Sequence, residues 1–382
     1  MTEIWRGGDS LTRGLGALPT PAQRCLVRAA VGPVDGIADA LAEWRTLVDL
    51  SGPIDGGSYR LIPIIFHRLQ SAGIDDPNRG MFKGVYRRSL VDNARVLDAA
   101  PPVLRALDAA GITPWLTKGA GLVQAGYYPT PATRPMADVD VVVDSARRND
   151  AIEALARIGY RPRLSARERA SVHASTFDGP AGAQLDLHWH FLFHARSPQA
   201  DEIITRSSQA AELGGVPVRV PGPAGLLMIN AVHGLFSNPE PPVRWLVDAS
   251  MILDRDGDVV VWDDVVEFAT RFRLARRIEA ALVLLAETTG RTAPASTMEA
   301  LAAVPTYTIE RLERRIAIAP WNSVEGTFVQ LIAGYAGGDR ELRHLATRLP
   351  RYLSQRWNVE HVYQFPAVGG RKLRNWLQPG RS

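Results

Sequence analysis

Three short stretches of this chain carry residue types that could do chemistry. The first is Arg134-Pro-Met-Ala-Asp138-Val-Asp140-Val-Val-Val143. In a strand, residues i and i+2 point to one face. Asp138 and Asp140 then lie side by side, with Val139 and Val141 turned to a core. Two carboxylates this close raise one another's pKa unless a cation sits between them. Paired hard oxygens suit Mg²⁺, which takes one or two carboxylates and completes its shell with water and substrate phosphates. The same pattern also fits a surface strand with two solvated aspartates, and Asp-x-Asp alone does not separate the two.

The second stretch, Leu185-Asp186-Leu187-His188-Trp189-His190, alternates in the same way and puts Asp186, His188 and His190 on one face. A third carboxylate on a neighbouring strand is what a pair of divalent ions needs: two ligands that bridge and a third on one ion. An edge strand with a polar outer face would read the same. The third stretch, Leu116-Thr117-Lys118-Gly119-Ala120-Gly121, runs from a strand into a helix. Glycines there let the backbone approach a phosphate, and a helix start offers free N–H groups. Lys118 adds a point charge in a chain with two other lysines, Lys83 and Lys372. An ordinary strand-to-helix turn is the alternative. Arg134, four residues before Asp138, can reach a triphosphate or pair with an aspartate. His188 can bond a ligand or orient Asp186.

The elements that must position these residues are legible from periodicity. Helical spacing covers 37–48, 62–69 and 87–107, with a Gly/Pro-rich turn at 51–58 and a helix start or restart at Pro101-Pro102. The texture changes at Gly111. Strands are expected at 113–117, 138–143, 172–177 and 183–190, the last two separated by Asp178-Gly179. Helices are expected at 120–127 and at 145–158, the latter between Ser145 as N-cap and Gly159 as C-cap, with a loop at 129–135. After Pro198 the chain reads as helical again, at 224–236, 243–253, 262–272 and 274–288, with Pro-rich breaks at 221–223 and 239–242. The expected class is α+β: an N-terminal helical region (1–108), a small mixed-sheet core (109–200) and a C-terminal helical region (201–382).

The whole chain sets wider bounds. Its 382 residues suit two or three packed units, and 46% apolar with 22% charged residues is ordinary globular composition. The lone cysteine, Cys25, excludes an intramolecular disulfide and points to a reducing compartment. No signal-peptide run opens the chain, and no stretch approaches the roughly 18 apolar residues of a membrane span. A cytoplasmic protein is expected. Richness in arginine, alanine and glycine points to a GC-rich bacterial genome. A net charge of +4 suits phosphate-bearing ligands without demanding nucleic acid. The basic end (Arg340, Arg343, Arg348, Arg351, Arg356, Arg371, Lys372, Arg374) reads as a solvated face, with a polyanion site as the alternative.

Together the three stretches resemble the DNA polymerase β-like nucleotidyltransferase superfamily, in which a glycine-containing strand–helix turn precedes an Asp-x-Asp strand and a third Asp follows on a later strand. The chain is most similar to a bacterial family of uncharacterised nucleotidyltransferases with Lys-Gly, a tyrosine segment, Arg-x-x-x-Asp-x-Asp and Asp-Leu-His-Trp. Here these are Lys118-Gly119, Tyr127-Tyr128, Arg134 to Asp140 and Asp186 to Trp189. A histidine on a following helix and an Arg-Trp…Asp helix match His233 and Arg244-Trp245…Asp248. The resemblance spans residues 35–290. It departs from the wider superfamily at Gly119-Ala120, where Gly-Ser or Gly-Gly is usual, and in a longer gap to Asp138.

The resemblance implies a polymerase β-like core, with Asp138, Asp140 and Asp186 as catalytic metal ligands for Mg²⁺ or Mn²⁺. Lys118, Gly119, Ala120, Arg134 and His188 would contact an NTP, ATP by default. The acceptor would be a hydroxyl on a small molecule, peptide or protein. No nucleic-acid module or aromatic-plus-basic platform is visible, which disfavours RNA. A metal-dependent phosphohydrolase is the first alternative, although the loose set His173, His188, His190 and His194 gives no clear ligand spacing. A non-catalytic nucleotide- or partner-binding protein is the second. On residue pattern alone, His233 reads as a core histidine, and Arg244 with Asp248 as an intrahelical ion pair.

Overall fold

The structure, a computed structural model, describes residues 18–235, 243–317, 345–359 and 361–364, with Tyr335 and Val368. The N-terminal helices are α1 (Pro21–Val31), α2 (Ile37–Leu47), α3 (Ile62–Ala72) and α4 (Arg79–Ala109). Helix α1 opens with a reciprocal capping box: the Thr20 hydroxyl accepts from the Gln23 N–H, and the Gln23 side chain accepts from the Thr20 N–H. Helix α3 ends at Gly73, whose positive φ closes it in the left-handed conformation. Helix α4 does not restart at Pro101-Pro102 but runs through them. The two prolines remove internal donors, and burial of Phe82, Val103, Leu104 and Leu107 holds the helix on either side.

The sheet is mixed, with strand order β3-β4-β5-β2-β1-β7-β6. Its strands are β1 (Trp115–Leu116), β2 (Asp140–Val142), β3 (Arg161–Pro162), β4 (Ala174–Asp178), β5 (Gln184–His188), β6 (Gln209–Leu213) and β7 (Val216–Val220). Strand β2 lies near the centre, parallel to β5 and antiparallel to β1. All three of its residues are buried, as expected of a strand covered on both faces. Helix α5 (Lys118–Gln124) follows β1, and α6 (Arg148–Arg157) follows β2. The helical segment after β2 is capped by Asp144 rather than Ser145: the Asp144 carboxylate accepts from the Ala146 N–H and opens a 3-10 turn ahead of α6.

The sheet reaches beyond residue 200. After α7 (Pro198–Thr205) comes the β6–β7 hairpin, in a segment expected to be helical. Its two-residue turn is Gly214-Gly215, both at positive φ, which is the conformation a type I′ turn requires. A Cβ on Gly214 would also stand 2.3 Å from Pro101 of α4. The helices that follow are α8 (Pro223–Gly234), α9 (Arg244–Asp256), α10 (Trp262–Arg271), α11 (Ala275–Thr289), α12 (Ala295–Ala303), α13 (Thr308–Ala317) and α14 (Leu345–Arg356). A continuous apolar core runs from Cys25 to Leu301 and so joins the helices on both sides to the sheet. Among the described residues no helix is long and apolar enough to cross a membrane. Phe236, the 239–242 break and Arg340, Arg343, Arg371, Lys372 and Arg374 of the basic end lie outside the described residues.

The junction from β1 to α5 is tight. A Cβ on Gly121 would sit 2.7 Å from the Leu116 backbone oxygen. Gly121→Ala is therefore expected to destabilise the protein by about 1–3 kcal/mol in urea unfolding, as other overpacking substitutions do. Gly36→Ala, with open space around it, should change stability far less.

Candidate functional site

The parallel pairing of β2 with β5 sets Asp140 opposite Asp186 and Val142 opposite His188. One ligand atom each from Asp140, Asp186 and His188 lie within 4.8 Å of one another. Asp138 sits in a bend two residues before the first ladder residue of β2. Its closeness to Asp140 thus comes from that bend and not from the pleat. Its carboxyl is pushed up by partial burial, then by the charges of Asp140 and Asp186. The three aspartates therefore share one electrostatic neighbourhood, and Asp138 stands outside the tight trio.

Asp140 behaves in the opposite way. Its Oδ1 accepts from Lys118 Nζ at 2.6 Å and lies 3.0 Å from His188 Nε2. Burial opposes its charge, but Lys118 and His188 more than offset this and hold the carboxyl far below the usual range. His188 is buried, and its Nδ1 has no hydrogen-bond partner. Two carboxylates on adjacent strands, an imidazole and a nearby third carboxylate make a donor set that fits a divalent cation.

The Lys118-Gly119-Ala120 turn lies beside this cluster, with its details set by packing. Lys118 has φ 48, a left-handed conformation that costs a non-glycine residue roughly 1–2 kcal/mol. A Cβ on Gly119 would fall 2.5 Å from an Arg134 guanidinium nitrogen and 2.6 Å from Met136. The missing side chain at 119 thus makes room for Arg134 and Met136. Asn93 of α4, which sequence reading passed over, fastens the segment leading to Asp138. Its amide donates to the Pro131 and Arg134 carbonyls and its oxygen accepts from the Met136 N–H.

The model of a family described as uncharacterised nucleotidyltransferase matches residues 58–290. The chain belongs to this family. No curated protein and no solved structure matches it. Family membership supports nucleotidyl transfer as the general activity, and the Asp140–Asp186–His188 trio supports a divalent metal.

In this nucleotidyltransferase two helices after the sheet complete the neighbourhood, and both differ from expectation. Arg244 and Asp248 do not pair with each other along α9. Asp248 instead accepts Nε and Nη2 of Arg134, at 2.9 and 2.7 Å, and the Tyr128 hydroxyl. Arg134 is thereby locked into a buried ion pair, so its Nε and Nη2 are not free for a triphosphate. Arg244 donates to the Pro135 carbonyl. His233 is not a core residue: it is exposed on the last turn of α8. Surrounding protein still lowers its pKa to about 4, with Lys118 pushing the same way. Of the other histidines, His173 packs edge-on against His188, His190 pairs with Asp201 at 2.6 Å, and His194 is buried next to Phe193.

Proposed function

We propose that the protein transfers the NMP group of an NTP, AMP from ATP by default, to a hydroxyl on a small molecule, peptide or protein, with release of pyrophosphate. The observation that carries this reading is the pairing of Asp140 with Asp186 on adjacent parallel strands, with His188 inside the same cluster. Asp140 and Asp186, with Asp138 and His188 beside them, would hold Mg²⁺ or Mn²⁺, and bound ions there would neutralise phosphate charge and acidify the acceptor hydroxyl. The acceptor oxygen bonds to the α-phosphorus. The bond from that phosphorus to the β-phosphate oxygen breaks, and its electron pair leaves on pyrophosphate. The hydroxyl proton passes to Asp186 in this reading. Lys118 fixes the Asp140 carboxylate through its 2.6 Å contact, and Gly119 and Ala120 present backbone to the phosphates. Arg134 serves by positioning the segment before Asp138. The single, buried Cys25 favours a cytoplasmic setting.

The presence of an imidazole in the trio favours one second reading, a metal-dependent phosphohydrolase. A single assay separates them: each α-³²P-labelled NTP, Mg²⁺, and a cell extract or candidate peptides. The expected result is label on an acceptor with release of pyrophosphate, abolished by a chelator. Orthophosphate released without labelled acceptor would favour hydrolysis and sink the transferase reading. Nucleotide binding with neither product would point to a binding protein.

A further inference from the structure

Among the described residues Arg244 has no carboxylate paired to it. The nearest carboxylate on its helix, Asp248, already accepts both forks of Arg134 and the Tyr128 hydroxyl. The buried Arg134–Asp248 pair and the half-buried Arg244 beside it thus carry an excess positive charge among the described residues. Burial and the Arg134 charge lower the Arg244 pKa to about 10, the direction expected of a cation lacking compensation. Its hydrogen bond to the Pro135 carbonyl, the one it makes among the described residues, tethers it to the segment three residues before Asp138. That leaves further guanidinium donors unspent.

Two neighbours also have polar atoms to spare, Arg60 as a cation and His233 as a neutral imidazole at neutral pH. Arg60, exposed just after the helical turn Gly56–Tyr59, adds to the positive field on Arg244. His233 feels Lys118, Asp140, His188 and Arg244. Among the described residues neither Arg60 nor His233 makes a side-chain hydrogen bond or ion pair. Other described arginines are paired, as with Arg163 on Asp178, Arg206 on Asp264 and Glu267, and Arg291 on Asp254. The close crossing of α8 and α9 holds the group together: a Cβ on Gly234 would stand 2.2 Å from the Trp245 ring.

We propose that Arg244, with Arg60 and His233, is the clamp for the β- and γ-phosphates of the NTP, the pyrophosphate that leaves. This rests on the transferase reading above and moves the main phosphate contacts from the glycine turn to α8 and α9 after the sheet, with Arg60 from the N-terminal region. A planar guanidinium with free donors matches phosphate oxygens in a fork, and a dianionic end would supply the countercharge that Arg244 lacks. The carboxylate cluster and this group of two arginines and an imidazole donor then divide the nucleotide between them: the α-phosphate on one side, the leaving group on the other.

The test is calorimetric titration of the full-length protein with inorganic pyrophosphate and, separately, AMP, at constant Mg²⁺. Arg244→Gln, whose amide can still donate to the Pro135 carbonyl, is expected to weaken pyrophosphate binding about tenfold or more. Arg60→Gln and His233→Gln are each expected to weaken it about threefold, with AMP affinity within about twofold of wild type in every case. Arg60→Gln and His233→Gln remove no described contact, so they carry the test if Arg244→Gln fails to fold. Unchanged pyrophosphate affinity in the folded variants overturns the clamp. If those variants bind pyrophosphate normally while the wild type labels an acceptor, the clamp is wrong and the transferase reading stands. If Arg244→Gln loses pyrophosphate while the wild type labels nothing, the anion site stands and the transferase reading fails.

Discussion

Asp140→Asn is expected to lower nucleotidyl transfer by roughly 10³-fold or more, a loss of about 4 kcal/mol in transition-state stabilisation. The substitution keeps the volume of the side chain and removes its charge. Asp140 is the point where Lys118, His188 and Asp186 converge, so an amide there deletes a metal ligand and leaves Lys118 facing a neutral group. Label transfer from α-³²P NTP checks the activity, and urea unfolding run alongside checks that the protein remains folded. The folded-state carboxyl of Asp140 is depressed. Its contribution to stability is therefore present above the unfolded-state value and is lost as pH falls toward the folded-state value. At neutral pH the variant forgoes that contribution, but it also relieves the crowding that raises Asp138. The expected stability change is accordingly small beside the loss of activity. Asp186→Asn and Asp138→Asn are expected to follow in the same direction. Full transfer activity in folded Asp140→Asn would remove the basis for the proposed chemistry.

Sequence alone carried the ligand types at this site further than their arrangement. Alternation in 185–188 showed which face Asp186 occupies, but no local pattern states which strand lies beside it. That adjacency is set by the crossover through α6 and by the β4–β5 ladder, both long-range matters. Asp138 was legible as a partner of Asp140 for an incomplete reason: the strand begins only at Asp140, and a bend supplies the proximity. His233 was misread because α8 is buried almost all round, which hides from any periodicity the one turn that emerges. Arg244 and Asp248 have the spacing of an intrahelical pair, worth only a few tenths of a kcal/mol. A two-pronged contact from Arg134, more than a hundred residues away in the chain, outcompetes it. The β6–β7 hairpin did leave a readable mark in Gly214-Gly215 between alternating valines and polar residues. Pro217 inside the second strand and the helical stretches around it obscured that mark.

The Arg134–Asp248 pair is where a single substitution should cost the most stability. Both side chains are almost completely buried, at 4% and 3% exposure, and three donors converge on the Asp248 carboxylate. Breaking such a pair from one side typically costs about 3–5 kcal/mol, because a buried charge is left without its partner. The two sides are not equivalent here. Asp248→Ala leaves the buried Arg134 and the half-buried Arg244 as neighbouring cations with no carboxylate between them and strips the Tyr128 hydroxyl of its acceptor. Arg134→Met leaves Asp248 with the Tyr128 hydrogen bond and with Arg244 one helical turn away. Denaturant unfolding followed by circular dichroism should therefore rank Asp248→Ala as the more damaging. The double variant Arg134→Met/Asp248→Leu should regain part of the loss, since a well-packed apolar pair can replace a buried ion pair at little net cost. A double variant whose cost is the sum of the two single losses would mean that the two residues act independently and would refute the pair as the fastener of this site, whereas equal single losses would overturn only the ranking. Stability regained in the double variant without regained transfer would show the second consequence of the pair. It anchors Arg134 to α9, next to the bonds that Arg244 and Asn93 make to Pro135 and Met136, and through that segment it bears on where Asp138 stands relative to Asp140 and Asp186.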